Sequence, residues 1–473
     1  MKVLYVLCSA ALISSSRRQQ HASAFSPNAK QPPAAATAAS STSSSWRQSA
    51  SLRASWQDVE ATVSPSSLST TSTPSLPPLC IDSVLDPQPP TYSTTQPTLY
   101  RERHGWCPYS ERVWLTLEYG NVNYDTVRID NTGGGRPSYY SGQTPQMRWP
   151  DGSIQGESMD LVYELDQRYD LGLQSDNDAV RKAVDEFRNI FPRARPSSRA
   201  AYLFQYNGDP LSRSTFEQTL RGVNDLLGKT DGNFFCGDDF TAADIAWAPF
   251  LERYRYQLPC LHEELWPDDV FSYQALSDWY AAMELVPAYA CRVSGDAASW
   301  RKVLNMAGFG NSGFPPEIEA NLDTIYKTED RLARELTRDT AKVLWSRYRE
   351  GRDYLAETPS KEVALTLVRN RKAIAADALK QASRGSSHLS SLAQDENAID
   401  AALLELADAL ANDDLDKEFD EKDANLTSDG AMAMARFLDD RICVPRDMGA
   451  IPAAYLKVFA NNSKPDREQI NGA

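Results

Sequence analysis

The sequence lacks an internal apolar run long enough to span a bilayer, because its longest one lies within residues 3–13. Histidines are few, four among 473 residues, and they stand apart from the cysteines, so no zinc-site spacing occurs. The seven cysteines are widely spread without a C-x-x-C pair, which argues against a disulfide framework and is typical of a reducing compartment. A formal net charge of −15 argues against a general nucleic-acid binder, since phosphate contact requires clustered Lys and Arg.

Acidic residues are also absent from residues 1–57, which carry six basic residues, whereas the remainder carries 43 basic and 64 acidic residues. An apolar segment of signal-peptide length opens the chain, and a small-x-small site at residues 22–24 is followed by Phe25. The next stretch is rich in Ser, Ala and Thr, the composition of a transit peptide. We therefore predict a signal peptide at 1–24 and a transit-peptide-like segment at 25–57, which together address a plastid. Plain secretion is the alternative.

Four regions of different pattern follow the leader. Residues 58–96 are rich in Ser, Thr and Pro and are predicted to form a disordered or loosely docked linker. Residues 97–173 show the order β-α-β-loop-β-β-α of a thioredoxin-like α/β domain. Residues 176–299 have only helical patterns and predict an all-α domain, and residues 300–473 predict an additional helical extension.

Hydrophobic periodicity gives the individual elements. Those of the α/β domain are strand 98–100, helix 107–119, strands 123–129, 146–149 and 153–155, and helix 157–169. The helices predicted beyond it are 179–191, 198–206, 214–227, 242–256, 273–283, 317–355, 361–380, 398–411 and 431–442. A capping box marks the start of helix 242–256, with Thr241 at the N-cap and Asp244 at N3, so we expect Asp244 to serve folding.

Cys107 lies between a predicted strand and a predicted helix and therefore falls at the helix N-terminus. Unpaired backbone N–H groups and the helix dipole stabilise a thiolate there, and Pro108 suits the first turn. Ser110 occupies the place of the second cysteine of a dithiol site, so an external thiol must resolve any mixed disulfide on Cys107. An inert, buried cysteine is the alternative.

Two other segments carry recognition signals. Pro145 precedes a predicted hairpin and is a candidate cis proline, which would turn the Thr144 backbone toward the thiol. Glu157 and Ser158 open the next helix, whose free amides and Ser hydroxyl can receive a carboxylate, while Glu157 can pair with an ammonium group. An ordinary loop proline and a favourable acid in a first helical turn are the alternatives.

In this order and spacing, the signals resemble the glutathione transferase family over residues 97–292. The resemblance rests on CPYS at 107–110, TP at 144–145, DGSIQGES at 151–158 and FFCGDDFTAADIAWAPFLER at 234–253. It implies a thioredoxin-like domain followed by an all-helical domain. It also implies that Cys107 is the catalytic thiol of the cysteine-type classes, namely omega, lambda and dehydroascorbate-reductase-like.

The resemblance further implies a set of glutathione-binding residues. The Thr144 backbone, beside cis Pro145, pairs with the cysteinyl group of glutathione, and Tyr109 lines the thiol pocket. Glu157 and Ser158 hold the γ-glutamyl carboxylate and ammonium groups. The Gly-rich segment 131–143 differs from the usual helix, so the basic residue that contacts the glycine end stays unassigned.

These implications predict a glutathione-dependent thiol transferase or reductase acting on a small oxidised or electrophilic substrate. Glutathione is the expected co-substrate, no metal, nucleic acid or membrane insertion of the mature chain is expected, and monomer and homodimer both stay open. Conjugation fits less well, since a cysteine readily forms a disulfide with glutathione. The alternative is a non-catalytic glutathione- or protein-binding module with the helical extension as its working surface. An extension that covers the Cys107 cleft would favour this module.

Overall fold

The computed structural model describes residues 54–64, 78–131, 136–191, 202–205, 209–306, 338–392, 395–412 and 428–461. The predicted signal peptide and the predicted transit segment before residue 54 lie outside these ranges. No helix within them combines the length and the apolar character needed to cross a bilayer.

The strands, in chain order, are β1 (Cys80–Asp82), β2 (Thr98–Glu102), β3 (Asp125–Ile129), β4 (Gln146–Arg148) and β5 (Ile154–Gln155). The helices are α1 (Trp56–Val63), α2 (Pro108–Tyr119), α3 (Ser158–Tyr169), α4 (Asp178–Ile190), α5 (Arg213–Leu227), α6 (Ala242–Leu261), α7 (Gln274–Met283), α8 (Ala297–Met306), α9 (Arg338–Arg349), α10 (Pro359–Ser383), α11 (Glu396–Ala411), α12 (Asp429–Arg441) and α13 (Ala450–Asn461).

The five strands form one mixed sheet in the order β1-β3-β2-β4-β5. β2 runs parallel to β3 and antiparallel to β4, and α2 provides the crossover that a parallel pair requires. β4 and β5 form the predicted hairpin, which leads into α3. The predicted thioredoxin-like order is therefore confirmed, and it brings Cys107 to the carboxyl end of β2.

The linker predicted for residues 58–96 is wrong in two places. β1 lies within it and pairs in parallel with β3, with Cys80 opposite Thr126. α1 overlaps it as well, and its residues Val59 and Val63 are buried in the core of the extension. Both elements are short, so contacts with distant parts of the chain stabilise them more than local propensity does.

One hydrophobic core joins the sheet to helices α4–α7. It includes Trp114 from α2, Leu161 from α3, Phe216 from α5 and Trp247 from α6, each with at most 2% of its surface exposed. α2 and α3 also pack directly on α6. The sheet domain and the all-α domain are therefore held together by the same buried surface.

The helix predicted at 198–206 is wrong for residues 202–205, the part that the structure describes. This segment pairs antiparallel with residues 209–211, with Phe204 opposite Pro210, and Leu211 N donates to Leu203 O at 2.8 Å. Residues 207–210 read Asn-Gly-Asp-Pro, a turn signature that competes with the helical pattern.

The extension builds a second core. α10, α11, α12 and α13 pack on one another through buried residues that include Val363, Leu406, Leu438 and Leu456. The helix predicted at 317–355 is described only from residue 338 onward, and residues 317–337 lie outside the described residues. Its predicted end is wrong, because α9 ends at Arg349 and Gly351 follows with a φ of +74°, in the left-handed region that glycine favours.

The extension contacts the far end of α2. Tyr348 Oη donates to Glu118 Oε2 at 3.0 Å, and Arg352 Nη2 donates to the Glu118 carbonyl at 2.5 Å. Cys291, in a single π-helical turn (Tyr289–Val293), packs in a small apolar cluster with Trp345 from α9. The extension is therefore docked on the domains that precede it.

Candidate thiol site

Cys107 is the N-cap residue of α2, with extended backbone angles of φ −77° and ψ 113°. Pro108 occupies the first helical turn, and Glu111 N donates to Cys107 O at 3.1 Å as the helix begins. The backbone N–H groups of Tyr109 and Ser110 therefore lie in the first turn, where no intrahelical acceptor exists. The half-buried thiol thus lies at the helix N-terminus, beside backbone N–H groups that have no intrahelical acceptor.

The Thr144–Pro145 peptide bond is cis, as the sequence predicts. Cys107 Sγ lies 3.7 Å from Thr144 O and donates to it. The Thr144 hydroxyl accepts a hydrogen bond of 2.7 Å from Asn131 Nδ2. The loop before β4 and the start of α2 therefore meet at the thiol.

Glu157 and Ser158 mark the start of α3. Glu157 is its exposed N-cap residue with a φ of +62°, an uncommon conformation for a residue other than glycine, and its side chain caps no helical N–H. Ser158 is buried, and its Oγ accepts a hydrogen bond of 3.4 Å from Arg112 Nη1. This helix N-terminus therefore keeps amide donors that its own N-cap side chain does not occupy.

Tyr109 lies on the first turn of α2 with about a third of its surface exposed. Its hydroxyl and that of Tyr202 are 2.8 Å apart, and its ring meets the Phe250 ring edge-on at 5.7 Å. Burial and the bond to Tyr202 raise the pKa of Tyr109, so the hydroxyl stays neutral near pH 7. The site therefore has an aromatic wall that carries the neutral hydroxyl of Tyr109.

Arg112 is a site residue that the sequence analysis missed. Its Nε and Nη2 donate to the Ala246 carbonyl of α6 at 2.9 and 2.7 Å, and its Nη1 reaches Ser158. Burial lowers the pKa of Arg112 to about 10, so the guanidinium stays charged at neutral pH. It connects the helix of Cys107 with the start of α3 and with the all-α domain. The residues next to Arg112 in sequence do not distinguish it from a surface arginine of an amphipathic helix.

Arg136 is a second residue that the sequence analysis left unassigned. This exposed side chain donates from Nη2 to Asn131 Oδ1 at 3.0 Å and from Nη1 to Gly142 O at 2.6 Å. Asn131 in turn binds Thr144. The positively charged Arg136 therefore lies on the same loop as the cis peptide bond. Hydrogen bonds through Asn131 connect it to Thr144.

Two arginines upstream of Cys107 have structural partners. Arg101 is buried with its guanidinium 4.5 Å above the Trp114 ring, and Arg103 forms an ion pair of 2.9 Å with Asp82 of β1. Both guanidinium groups therefore have partners within the sheet domain and stabilise its packing.

The sequence matches two family models. Residues 106–168 match the one described as "Glutathione S-transferase, N-terminal domain", and residues 177–282 match "Glutathione S-transferase, C-terminal domain". Residues 106–282 belong to the glutathione transferase family. The predicted family is therefore confirmed. Cys107, Thr144 and Ser158 of the thiol site all lie within the matched domains.

Plant proteins are among the relatives that this chain is similar to. Glutathione S-transferase L3 of Arabidopsis thaliana is 29% identical over 191 residues, which cover 39% of this chain and 77% of the relative. The chloroplastic glutathione S-transferase DHAR3 of the same plant is 25% identical over 179 residues, which cover 35% of this chain and 62% of that one. These matches support the cysteine-type assignment.

The chain is also similar to solved structures. A dehydroascorbate reductase of Chlamydomonas reinhardtii is 21% identical with a TM-score of 0.32, and the match covers 49% of this chain and 99% of the other. Glutathione transferase Omega 3C of Trametes versicolor is 19% identical with a TM-score of 0.32, over 43% of this chain and 84% of the other.

Proposed function

We propose that the protein is a glutathione-dependent thiol transferase or reductase whose nucleophile is Cys107. The observation that carries this proposal is the half-buried, partly accessible Cys107 thiol at the N-cap of α2, 3.7 Å from the carbonyl of Thr144 at the cis peptide bond. A reactive thiol requires thiolate stabilisation together with access, and an inert structural cysteine has neither. Cys260, by contrast, lies fully buried in α6.

The reaction proceeds through two disulfide exchanges. The Cys107 thiolate attacks the glutathionyl sulfur of a substrate R–S–SG, so that a Cys107–glutathione disulfide forms and the S–S bond of the substrate breaks. The electron pair leaves on R–S⁻, which takes a proton from water. A second glutathione thiolate then attacks the glutathionyl sulfur, which releases oxidised glutathione and restores the Cys107 thiolate.

An external thiol completes the cycle because position 110 holds serine. Ser110 is buried, and its Oγ accepts a hydrogen bond of 3.4 Å from Glu102 N. It therefore has a structural partner beneath the helix and contributes no sulfur to resolve the adduct.

Glutathione binding in this proposal uses both sides of the thiol. The γ-glutamyl carboxylate lies at the N-terminus of α3 with Ser158, its ammonium group pairs with the exposed Glu157, and the cysteinyl backbone pairs with Thr144 beside Pro145. Tyr109 lines the thiol pocket. We add Arg136 at the glycine end, because it supplies an exposed positive charge on the loop that holds Thr144.

The role of Arg136 is tested by Arg136→Gln. We expect the KM for glutathione to rise about tenfold while kcat changes less than twofold, because the lost charge–charge hydrogen bond contributes to binding glutathione and touches no reacting atom. Arg221→Gln, on an exposed arginine of α5, is the matched control and should leave both constants unchanged. A fall in kcat at constant KM would contradict this assignment.

The non-catalytic alternative depends on a covered cleft. The extension reaches Gly105, just before the thiol, and Glu118, at the far end of α2, whereas Cys107 stays partly exposed among the residues that the structure describes. This accessibility favours catalysis over a purely structural role.

Turnover assays distinguish the reaction types. The full chain is incubated with glutathione and a small glutathionyl mixed disulfide, and formation of oxidised glutathione is followed. In parallel, conjugation of glutathione to an aromatic chloride is measured. We expect disulfide reduction with ping-pong kinetics and little conjugation. Conjugation without reduction would reject the proposal.

We also propose a plastid location, since the acid-free leader has both a signal-peptide core and a transit-like segment, and related transferases bear chloroplastic names. A reporter fused to residues 1–57 should reach the plastid, and replacement of Phe25 by alanine should stop it before the interior. Secretion of the fusion would contradict this location.

A further inference from the structure

The loop between α12 and α13, residues 442–449, packs against the segment that directly precedes Cys107. A β-carbon added at Gly105 would lie 3.3 Å from Pro445 Cγ, closer than an ordinary van der Waals contact. Arg446 Nη1 lies 3.4 Å from His104 Nδ1, and because arginine can only donate, the histidine nitrogen accepts. The C-terminal extension thus contacts residues two and three positions before the thiol.

The 442–449 loop is itself fixed in place. Arg446 donates from Nε and Nη2 to both carboxylate oxygens of Asp447, at 3.1 and 2.9 Å, and both side chains are about 95% buried. Asp447 also accepts from Cys443 N at 2.8 Å, and Val444 N donates to Ser299 Oγ at 2.8 Å. A buried ion pair is tolerated only with good geometry and additional hydrogen bonds, so this loop has one well-defined conformation.

Trp106 is held between this loop and the transferase helices. Its side chain is buried with Trp300 of α8 and Cys443 of the loop. Its carbonyl accepts a hydrogen bond of 3.0 Å from Arg253 Nη2, which also donates to Glu111 Oε2 at 2.8 Å. Trp106, which directly precedes Cys107, is therefore held in place by contacts of both its backbone and its side chain.

The segment before the thiol also has internal support. The buried carboxylate of Glu102 accepts His104 N at 3.1 Å and Trp106 N at 2.8 Å. These bonds define the turn, while the contacts with Pro445 and Arg446 come from a part of the chain more than 300 residues away. The turn is thus formed locally and covered from outside by the extension.

We propose that the 442–449 loop positions Cys107, with Arg446 as a positioning residue, so that the helical extension contributes to the thiol chemistry within the same chain. This inference rests on the proposed function of Cys107. The free backbone N–H groups of the first turn can act on the Cys107 sulfur only while Cys107 stays aligned with the start of the helix. Loosening residues 104–106 moves Cys107 out of that alignment, and binding of glutathione at Glu157 and Ser158 is unaffected.

The test compares three full-length variants. Arg446→Ala removes the contact from the extension, and His104→Ala removes it from the thiol segment while it leaves the Arg446–Asp447 pair in place. Arg441→Ala is the matched control, since it breaks the ion pair of 2.9 Å with Asp377. The measurements are the rate of Cys107 alkylation by iodoacetamide, located by peptide mass, and kcat and KM for glutathione in the disulfide assay.

We expect Arg446→Ala and His104→Ala to lower both the alkylation rate and kcat about tenfold, with KM for glutathione within twofold of wild type and the control unchanged. Alkylation rates within twofold of wild type in both variants, or an equal loss in Arg441→Ala, would overturn the inference. If Arg446→Ala fails to fold, His104→Ala decides. Alkylation needs no glutathione, so a wild type that is alkylated but does not turn over would reject the proposed function and leave this inference standing.

Discussion

Replacement of Cys107 by serine is expected to lower glutathione-dependent disulfide reduction by about three orders of magnitude or more, since removal of a covalent nucleophile eliminates the bond-forming step. A serine hydroxyl cannot form the mixed disulfide, and no second sulfur follows at position 110. The measurement is the rate of formation of oxidised glutathione by the full-length variant. Unchanged melting of the variant would show that the loss is chemical.

Cys236→Ser is the matched control for this substitution. Cys236 is also a half-buried free cysteine, and burial raises the pKa of its thiol above the ordinary value, so it is a poor nucleophile. We expect its replacement to leave the rate within twofold of wild type. If Cys236→Ser lost activity while Cys107→Ser retained it, the nucleophile would be Cys236, and the assignment of Cys107 would be wrong.

The second large effect concerns Asp244, whose carboxylate accepts four structural hydrogen bonds. Thr241 donates from N at 2.9 Å and from Oγ1 at 3.1 Å, Phe235 N donates at 3.1 Å and Trp279 Nε1 at 2.9 Å, and all of them are buried. The predicted capping box is thus confirmed, and the carboxylate also fastens α7 and the segment before α6. Asp244→Ala leaves these donors without an acceptor, so the free energy of unfolding should fall by about 3–5 kcal/mol.

Urea unfolding measures this loss, with Ser212→Ala as a comparison. Ser212 is the exposed N-cap of α5, and its Oγ accepts a hydrogen bond of 3.2 Å from Thr215 N, so its replacement should cost about 1 kcal/mol. Folded Asp244→Ala protein should retain the glutathione affinity of wild type. Lost affinity with unchanged stability would instead make Asp244 a ligand-binding residue.

The effect of Asp244→Ala should also depend on pH. Burial raises the pKa of Asp244 from 3.8 to about 6, despite the hydrogen bonds it accepts. Between these values the folded protein retains a proton that the unfolded chain has lost, so the contribution of Asp244 to stability falls as the pH rises from about 4 to about 6. The stability difference between wild type and variant should therefore be larger at pH 4 than at pH 7. A difference that grows with pH would contradict the raised pKa.

Features that short stretches of sequence determine could be predicted. Cys107, Pro108 and the following helix form a local signal, and so do Thr241 and Asp244 of the capping box, because caps and first turns depend on neighbours within three or four residues. Pro145 is predictable as a candidate only, since the cis isomer also depends on its surroundings.

Features that depend on distant residues could not be predicted. β1 exists because it pairs with β3, and its flanks have the composition of a linker. Arg112 is part of the site because Ala246 and Ser158 lie beside it in the fold. The contact between Arg446 and His104 joins positions whose separation in sequence gives no pairing signal. In each case tertiary contacts select a role that the local pattern leaves undetermined.

The central claim is that Cys107 forms a mixed disulfide with glutathione, and intact mass after incubation with oxidised glutathione tests it most directly. Full-length wild type and Cys107→Ser are incubated side by side at neutral pH, and the adduct is located by peptide mass. Wild type should gain one glutathionyl group on the peptide that contains Cys107, and the variant should gain none. No adduct on wild type, or the same adduct on Cys107→Ser, would contradict the account.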